Sequence, residues 1–339
     1  MAPIGVAIIG SGIFVKEEHL PAVQACPDLL SLKAIFSRSL KSAQSVSEGL
    51  SNVTLYSEDS GDDKSYASLL SDSSIQAVII ALPIPNQPPY IKQALEAGKH
   101  VLAEKPIAKD VATAKELLEW YHKNIDTSKV TFGIAENFRY MERFRYGAEQ
   151  VKTLGRVFGF RHRMHALVQP GGKYYETSWR KTPEYQGGFL LDGGVHFIAG
   201  MRLMLGQEAK MKSLAAYTAQ LQKHLPPIDT ANATVMLANG SSGTFSVSFG
   251  TTFSGAEWIV ACENGTVEVE SKKVIEETKD FPDDGNGVKQ EVKAWAQSIA
   301  NGKQEELQKP EEALADLEIL EAMVKSGEQH GKPQELTLQ

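Results

Sequence analysis

The sequence predicts an α/β chain in two parts: a doubly wound parallel sheet over residues 1–125, then an α+β domain over residues 126–339 built on a large, mostly antiparallel sheet, with C-terminal helices able to pack back on the first part. Three observations predict it. From residue 4 onward, short unbroken apolar runs alternate with segments of helical period, the pattern of strands buried on both faces and joined by crossover helices. Beyond residue 155 polar and apolar residues alternate instead, with Asn-Gly turns between the runs, the pattern of antiparallel strands with one dry face. The chain has 339 residues, more than a single core usually sustains.

The strand candidates of the first part are "GVAIIG" (5–10), "LKAIFS" (32–37), "QAVIIAL" (76–82), "HVLAE" (100–104) and "VTFGIAE" (130–136). Between the third and fourth, "PPYIKQALEAGK" carries Ile91, Ala94, Leu95 and Ala97 at helical spacing, with Gly98 as the stop. In the second part "GRVFGFRHRMHALV", "SLAAYTAQLQ", "TANATVMLANGSSGTFSVSFG" and "EWIVACENGTVEVE" read as strands and hairpins. "KPEEALADLEILEAMVKSG" closes the chain with Ala313, Leu314, Leu317, Leu320 and Val324 on one helical stripe ending at Gly327.

Composition narrows the function. Apolar residues make up 42% and charged residues 23%, ordinary globular usage. The net charge of −7 with scattered basic residues leaves no electrostatic footprint for nucleic acid or an anionic membrane, so a small molecule is the expected partner. Cys26 and Cys262 have no metal-ligand spacing, and two distant cysteines suit a reduced compartment. With no signal-peptide pattern and no long apolar run, a cytoplasmic location is expected.

"GVAIIGSGIFV" ends a buried strand in Gly10-Ser11-Gly12, where the first glycine permits a tight turn and the second lets backbone approach a pyrophosphate at the following helix start. Val15 stands where the dinucleotide fingerprint has a third small residue, a position that faces the sheet rather than the phosphate. The next strand ends "IFSRS". An NAD site usually carries an acid there for the ribose 2′-hydroxyl, whereas Ser37, Arg38 and Ser39 suit a 2′-phosphate, so NADP(H) is the expected cofactor. The plainer role of Arg38 is a solvated loop residue.

Ligands of open parallel sheets lie at the carboxyl ends of the strands, where this reading puts Gly10, Ser37, Pro83, Lys105 and Glu136. Lys105, at the end of "HVLAE" and ahead of Pro106, is thus on the edge that faces a bound nicotinamide. A second cluster lies in "GGFLLDGGVHFIAGMRLMLG" (187–206). If a helix starts near Asp192, Asp192 and His196 share one face four residues apart, and Gly193 and Gly194 leave room for a ligand. Histidine titrates near neutrality and suits proton transfer from an alcohol that is losing hydride. Taken singly, Asp192 also suits a helix N-cap and His196 a satisfied core histidine.

These segments together resemble the Gfo/Idh/MocA oxidoreductases. The resemblance rests on the near-N-terminal Gly10-Ser11-Gly12, "ALEAGKHVLAEKP", "GIAENFRY", "GGFLLDGGVH" and the closing "KPEEALADLEILEA", and it covers nearly the whole chain. It implies a Rossmann nucleotide domain, an open-faced C-terminal sheet that joins copies into a homodimer or larger homo-oligomer, and a catalytic triad of Lys105, Asp192 and His196. It implies a cofactor lining of Gly10, Ser11, Gly12, Ile13, Phe14, Ser37, Arg38, Ser39, Leu82, Pro83, Asn86, Gln87, Glu104, Lys105, Asn137, Trp179 and Arg180, with Tyr175 joining the triad around substrate. Tyr174 is a further candidate wall.

The chain departs from the family pattern at Val15, at Gln87 where a histidine is frequent, and after His196, where "FIAGMR" lacks an aspartate often found three residues on. The resulting expectation is an NADP(H)-dependent oxidoreductase of a sugar or polyol, with an aldose such as glucose or xylose oxidised at C1 to a lactone. A trans-dihydrodiol dehydrogenase or carbonyl reductase, and a non-catalytic NADP-sensing regulator of the same fold, are the alternatives.

Overall fold

The computed structural model describes residues 2–183, 188–270, 273–275, 279–281 and 284–339. Residues 184–187, which include the first glycine of the 187–206 motif, therefore lie outside the described residues. The chain divides into two compact units, 1–108 with 112–136 and 288–311, and 109–111 with 137–287 and 312–339. The first unit thus extends past residue 125 and takes in a C-terminal segment. The strand at 132–135 completes the first sheet, and a late helix returns to its core.

The first unit is a six-stranded, all-parallel sheet of β1 (Ile4–Ile9), β2 (Leu30–Ser37), β3 (Thr54–Ser57), β4 (Ala77–Ile80), β5 (His100–Glu104) and β6 (Phe132–Ala135), in the order β3-β2-β1-β4-β5-β6. Strand order reverses between β1 and β4, which makes the carboxyl ends of those strands the switch point where a ligand crevice forms. β3 is absent from the sequence expectations because it spans only four residues at the sheet edge, too few for a periodic signal. The core gathers Val6, Ile8, Ile35, Ile79 and Leu102 with Val288, Val292 and Trp295 from the returning helix Val288–Ala300.

Among the described residues the second unit carries nine strands: β7 (Val157–Leu167), β8 (Met211–Ala219), β9 (Thr230–Leu237), β10 (Ser242–Ser248), β11 (Gly250–Cys262), β12 (Gly265–Val269), β13 (Lys273–Ile275), β14 (Lys279–Asp280) and β15 (Gln334–Glu335). Their order is β14-β13-β12-β11-β7-β10-β9-β8-β15. The described pairs are antiparallel except β7 with β10, whose parallel register runs Ser242 with Gly159 to Ser248 with His165. Along β9, Ala231, Ala233, Val235 and Leu237 are buried while Asn232, Thr234 and Met236 are exposed, so the sheet is open on one side. Helix Gly188–Leu205 packs on the covered side, where Trp258 Nε1 donates to the Phe197 carbonyl at 3.2 Å. That helix is long and apolar, but 72% of it is buried in the fold, which makes it a core helix.

Helix Pro310–Glu328 runs through Gly327 instead of stopping there. A Cβ at Gly327 would meet Thr218 Oγ1 at 2.2 Å, so this glycine serves close packing against β8.

Candidate functional site

At the switch point Gly10 has φ +132°, and a Cβ there would lie 2.3 Å from the Ala81 carbonyl oxygen, so only glycine closes this turn. Gly12 is exposed, with nothing within 4 Å of a built Cβ, which leaves its backbone open to a ligand. The segment after it winds into a wide π-type turn, Val15–His19, a form that recurs at functional sites. Val15 is buried in the core and faces the sheet. Ile13 and Phe14 are half-buried, with Phe14 edge-on to His19 at 5.3 Å between ring centres.

Ser11 and Ser37 share a 2.7 Å hydrogen bond across the ends of β1 and β2, and Arg38 beyond them is exposed. Ser39 is the N-cap of helix Leu40–Ser47, accepting from Ser42 N at 3.2 Å and donating to Ser42 Oγ at 2.8 Å, so its hydroxyl is committed to the cap. A carboxylate absent from the expected lining also reaches this turn. Asp59 Oδ1 accepts from Leu40 N at 2.8 Å and from the buried Ser57 hydroxyl at 2.6 Å. The Ser57 hydroxyl, then the Leu40 amide, hold the Asp59 carboxyl below the usual carboxylate range. The open backbone at Gly12, the paired serine hydroxyls and the exposed Arg38 fit a nucleotide with a pyrophosphate.

The Glu104-Lys105-Pro106 turn, whose Lys105–Pro106 peptide is cis, is clamped from two sides. His19, fully buried, donates from Nε2 to Glu104 Oε1 at 2.8 Å, and Glu104 Oε2 accepts from Lys105 N at 3.1 Å. Gln87 Nε2 donates to the Glu104 carbonyl at 2.9 Å and the Pro106 carbonyl at 3.4 Å. Gln87 is fully buried, so it braces the turn from within and is not part of a cofactor lining. Leu82, Pro83, Glu104 and Lys105 are half-buried and Asn86 is exposed at the same strand ends. Sequence reasoning missed His19. A histidine at the start of a buried helix carries no periodic signature.

In the second unit, helix Gly188–Leu205 begins a full turn before Asp192, which removes the N-cap role and keeps Asp192 and His196 four residues apart on one face. Asp192 Oδ2 accepts from Arg180 Nε at 2.7 Å, and the Arg180 guanidinium lies 4.0 Å from the Trp179 ring centre. His196 is half-buried and stacks on Phe138 at 4.9 Å and 18° between ring planes. Gly193 and Gly194 do not leave space for a ligand. Built Cβ atoms would meet the Phe249 ring at 2.8 Å and Leu320 at 3.2 Å, so packing explains both.

Asn137 is buried, and its Nδ2 donates to the Asn286 carbonyl at 2.6 Å. Tyr175 is buried edge-on to His224 at 5.5 Å, while Tyr174 is exposed. One unit thus gathers Gly10, Ser11, Ser37 and the Lys105 turn at a parallel sheet edge, and the other holds Asp192 and His196 on one helix with Arg180 reaching Asp192 from the short helix Ser178–Lys181. An acid, a histidine and a lysine of this kind suit hydrogen bonding to, and proton exchange with, hydroxyl groups.

Residues 4–132 match the Gfo/Idh/MocA family model described as an oxidoreductase family, NAD-binding Rossmann fold, and residues 148–336 match its C-terminal alpha/beta domain. The chain belongs to the Gfo/Idh/MocA oxidoreductases. Dehydrogenase FPY6 of Fusarium mangiferae is 38% identical over 95% of this chain and 96% of that protein. D-xylose 1-dehydrogenase (NADP(+)) 2 of Haloferax volcanii is 25% identical over the same shares. An oxidoreductase of Thermotoga maritima has the same fold at TM-score 0.88 and 30% identity, with 98% of each chain covered. As a Gfo/Idh/MocA member the protein is an oxidoreductase with a nicotinamide-cofactor-binding first unit.

Proposed function

We propose that this oxidoreductase uses NADP(H) to oxidise, and in reverse to form, an alcohol carbon of a sugar or polyol, with an aldose such as glucose or xylose oxidised at C1 to a lactone. The observation that carries the reading is the placement of Asp192 and His196 one turn apart on a single helix, with Asp192 anchored by Arg180. Asp192 accepts a hydrogen bond from a hydroxyl next to the reacting carbon. His196 takes the anomeric hydroxyl proton, with Lys105 as the alternative acceptor, and the C–H bonding pair leaves as hydride. The nicotinamide, when bound, supplies the hydride acceptor.

Ser37 and Arg38 favour NADP(H), and the name of the Haloferax volcanii relative supports both the cofactor and an aldose substrate. The same reading places the protein in the cytoplasm and joins copies through the open side of the nine-stranded sheet.

Steady-state reduction of NADP by a panel of aldoses and polyols, set against trans-dihydrodiols, tests it. Turnover of at least one aldose is expected, and no rate with any of them overturns the sugar reading. Lys105→Ala is expected to lower kcat by about 10²- to 10⁴-fold, the range for loss of a proton-transfer group. An unchanged kcat would remove this lysine from the chemistry.

A further inference from the structure

The turn from β2 into helix Leu40–Ser47 carries more than the residues that favour a 2′-phosphate. Two hydrogen bonds strap the segment after β3 onto it: Glu58 N donates to the Ser37 carbonyl at 3.3 Å, and Leu40 N donates to Asp59 Oδ1 at 2.8 Å. Ser57, fully buried, fixes the same carboxylate through its hydroxyl at 2.6 Å. Asp59 is therefore a held anion on the one turn where a phosphate would sit, and it already occupies the Leu40 amide that a phosphate oxygen would otherwise take. Ser39 is spent as the helix cap, which leaves Ser37 and the exposed fork of Arg38 as the attractive partners.

We infer that Asp59 opposes the 2′-phosphate at the Ser37–Ser39 turn, so that this oxidoreductase accepts NADH alongside NADPH instead of excluding it. The inference rests on the proposed placement of the cofactor's 2′ position at that turn. A fixed negative charge repels a phosphate, which carries nearly two charges, and leaves a 2′-hydroxyl almost untouched. Both groups face water, so the repulsion weakens with ionic strength.

The test is fluorescence titration of the whole protein with NADPH and with NADH, in the wild type, Asp59→Asn and Arg38→Ala. Asparagine keeps the acceptor oxygen for Leu40 N and Ser57 and removes the charge. Asp59→Asn is expected to lower the NADPH Kd about 5- to 10-fold at low salt, with the NADH Kd moving less than about twofold, and the gain is expected to shrink at high salt. Arg38→Ala is expected to weaken NADPH alone. Because both nucleotides are titrated against one preparation, the ratio of the two Kd values is insensitive to a fraction of misfolded variant. An unchanged ratio in Asp59→Asn, with the wild type binding either nucleotide, overturns the inference and leaves the cofactor reading standing. Failure of the wild type to bind either nucleotide overturns both.

Discussion

Gln87 shows how burial changes the meaning of a side chain. In the sequence it stands where related chains often carry histidine and reads as a cofactor contact. In the fold it is fully buried, and its amide reaches the carbonyls on both sides of Lys105. Gln87→Met keeps the volume and removes both donors. Leaving buried carbonyls without partners costs about 1–3 kcal/mol, so the denaturation midpoint is expected to fall. The turn also loses the brace that sets the lysine, and small misplacements of a reacting group cost about 10²-fold in favourable cases. The expected result is a kcat reduced about 10-fold or more with nucleotide Kd within twofold, read by turnover beside nucleotide titration. Lys105→Ala makes the contrasting pair: it loses turnover while keeping the brace, so its stability is expected to stay close to that of the wild type.

At the scale of elements, glycines that look alike in sequence act for opposite reasons. Gly12 has open space around a built Cβ, whereas Gly193 would drive its Cβ to 2.8 Å from the Phe249 ring. That ring is buried and held edge-on by Phe189 at 5.0 Å, so it has little freedom to yield. Gly193→Ala gains about 1 kcal/mol of helix propensity but pays about 1–3 kcal/mol for overpacking, and net destabilisation in thermal melts is expected. Gly12→Ala is expected to leave the melting midpoint alone and weaken nucleotide binding. The same contrast explains how much was legible beforehand. β5 coincides with the "HVLAE" run because an apolar strand before Glu-Lys-Pro is a local signal. The parallel contact of β7 with β10 joins residues about 80 positions apart and leaves no local mark. Asp192 and His196 were legible through their helical spacing, but Arg180 as the partner of Asp192 and Asp59 as the partner of the Leu40 amide depend on tertiary folding.

Over the whole molecule, one buried histidine ties stability to pH. His162 on β7 is 1% exposed, donates from Nδ1 to the Glu257 carbonyl at 3.1 Å, and lies against the rings of Phe245, Trp258 and Phe197 at 4.2, 5.0 and 5.7 Å. Burial among these rings disfavours the charged imidazole and pushes its pKa from 6.5 down to about 3. The folded chain therefore holds this histidine neutral, while the unfolded chain takes up a proton below pH 6.5. Stability is fully present above that value and falls as pH drops towards about 3, because the unfolded state then binds more protons. Between pH 7 and pH 5 this one site contributes a loss of about 2 kcal/mol, from 1.36 kcal/mol per unit of differential protonation. His162→Phe cannot take the proton. Denaturant unfolding of the wild type and His162→Phe at both pH values is expected to show the variant losing about 2 kcal/mol less on acidification. Equal losses in the two proteins would mean that His162 is protonated in the folded sheet as readily as in the unfolded chain.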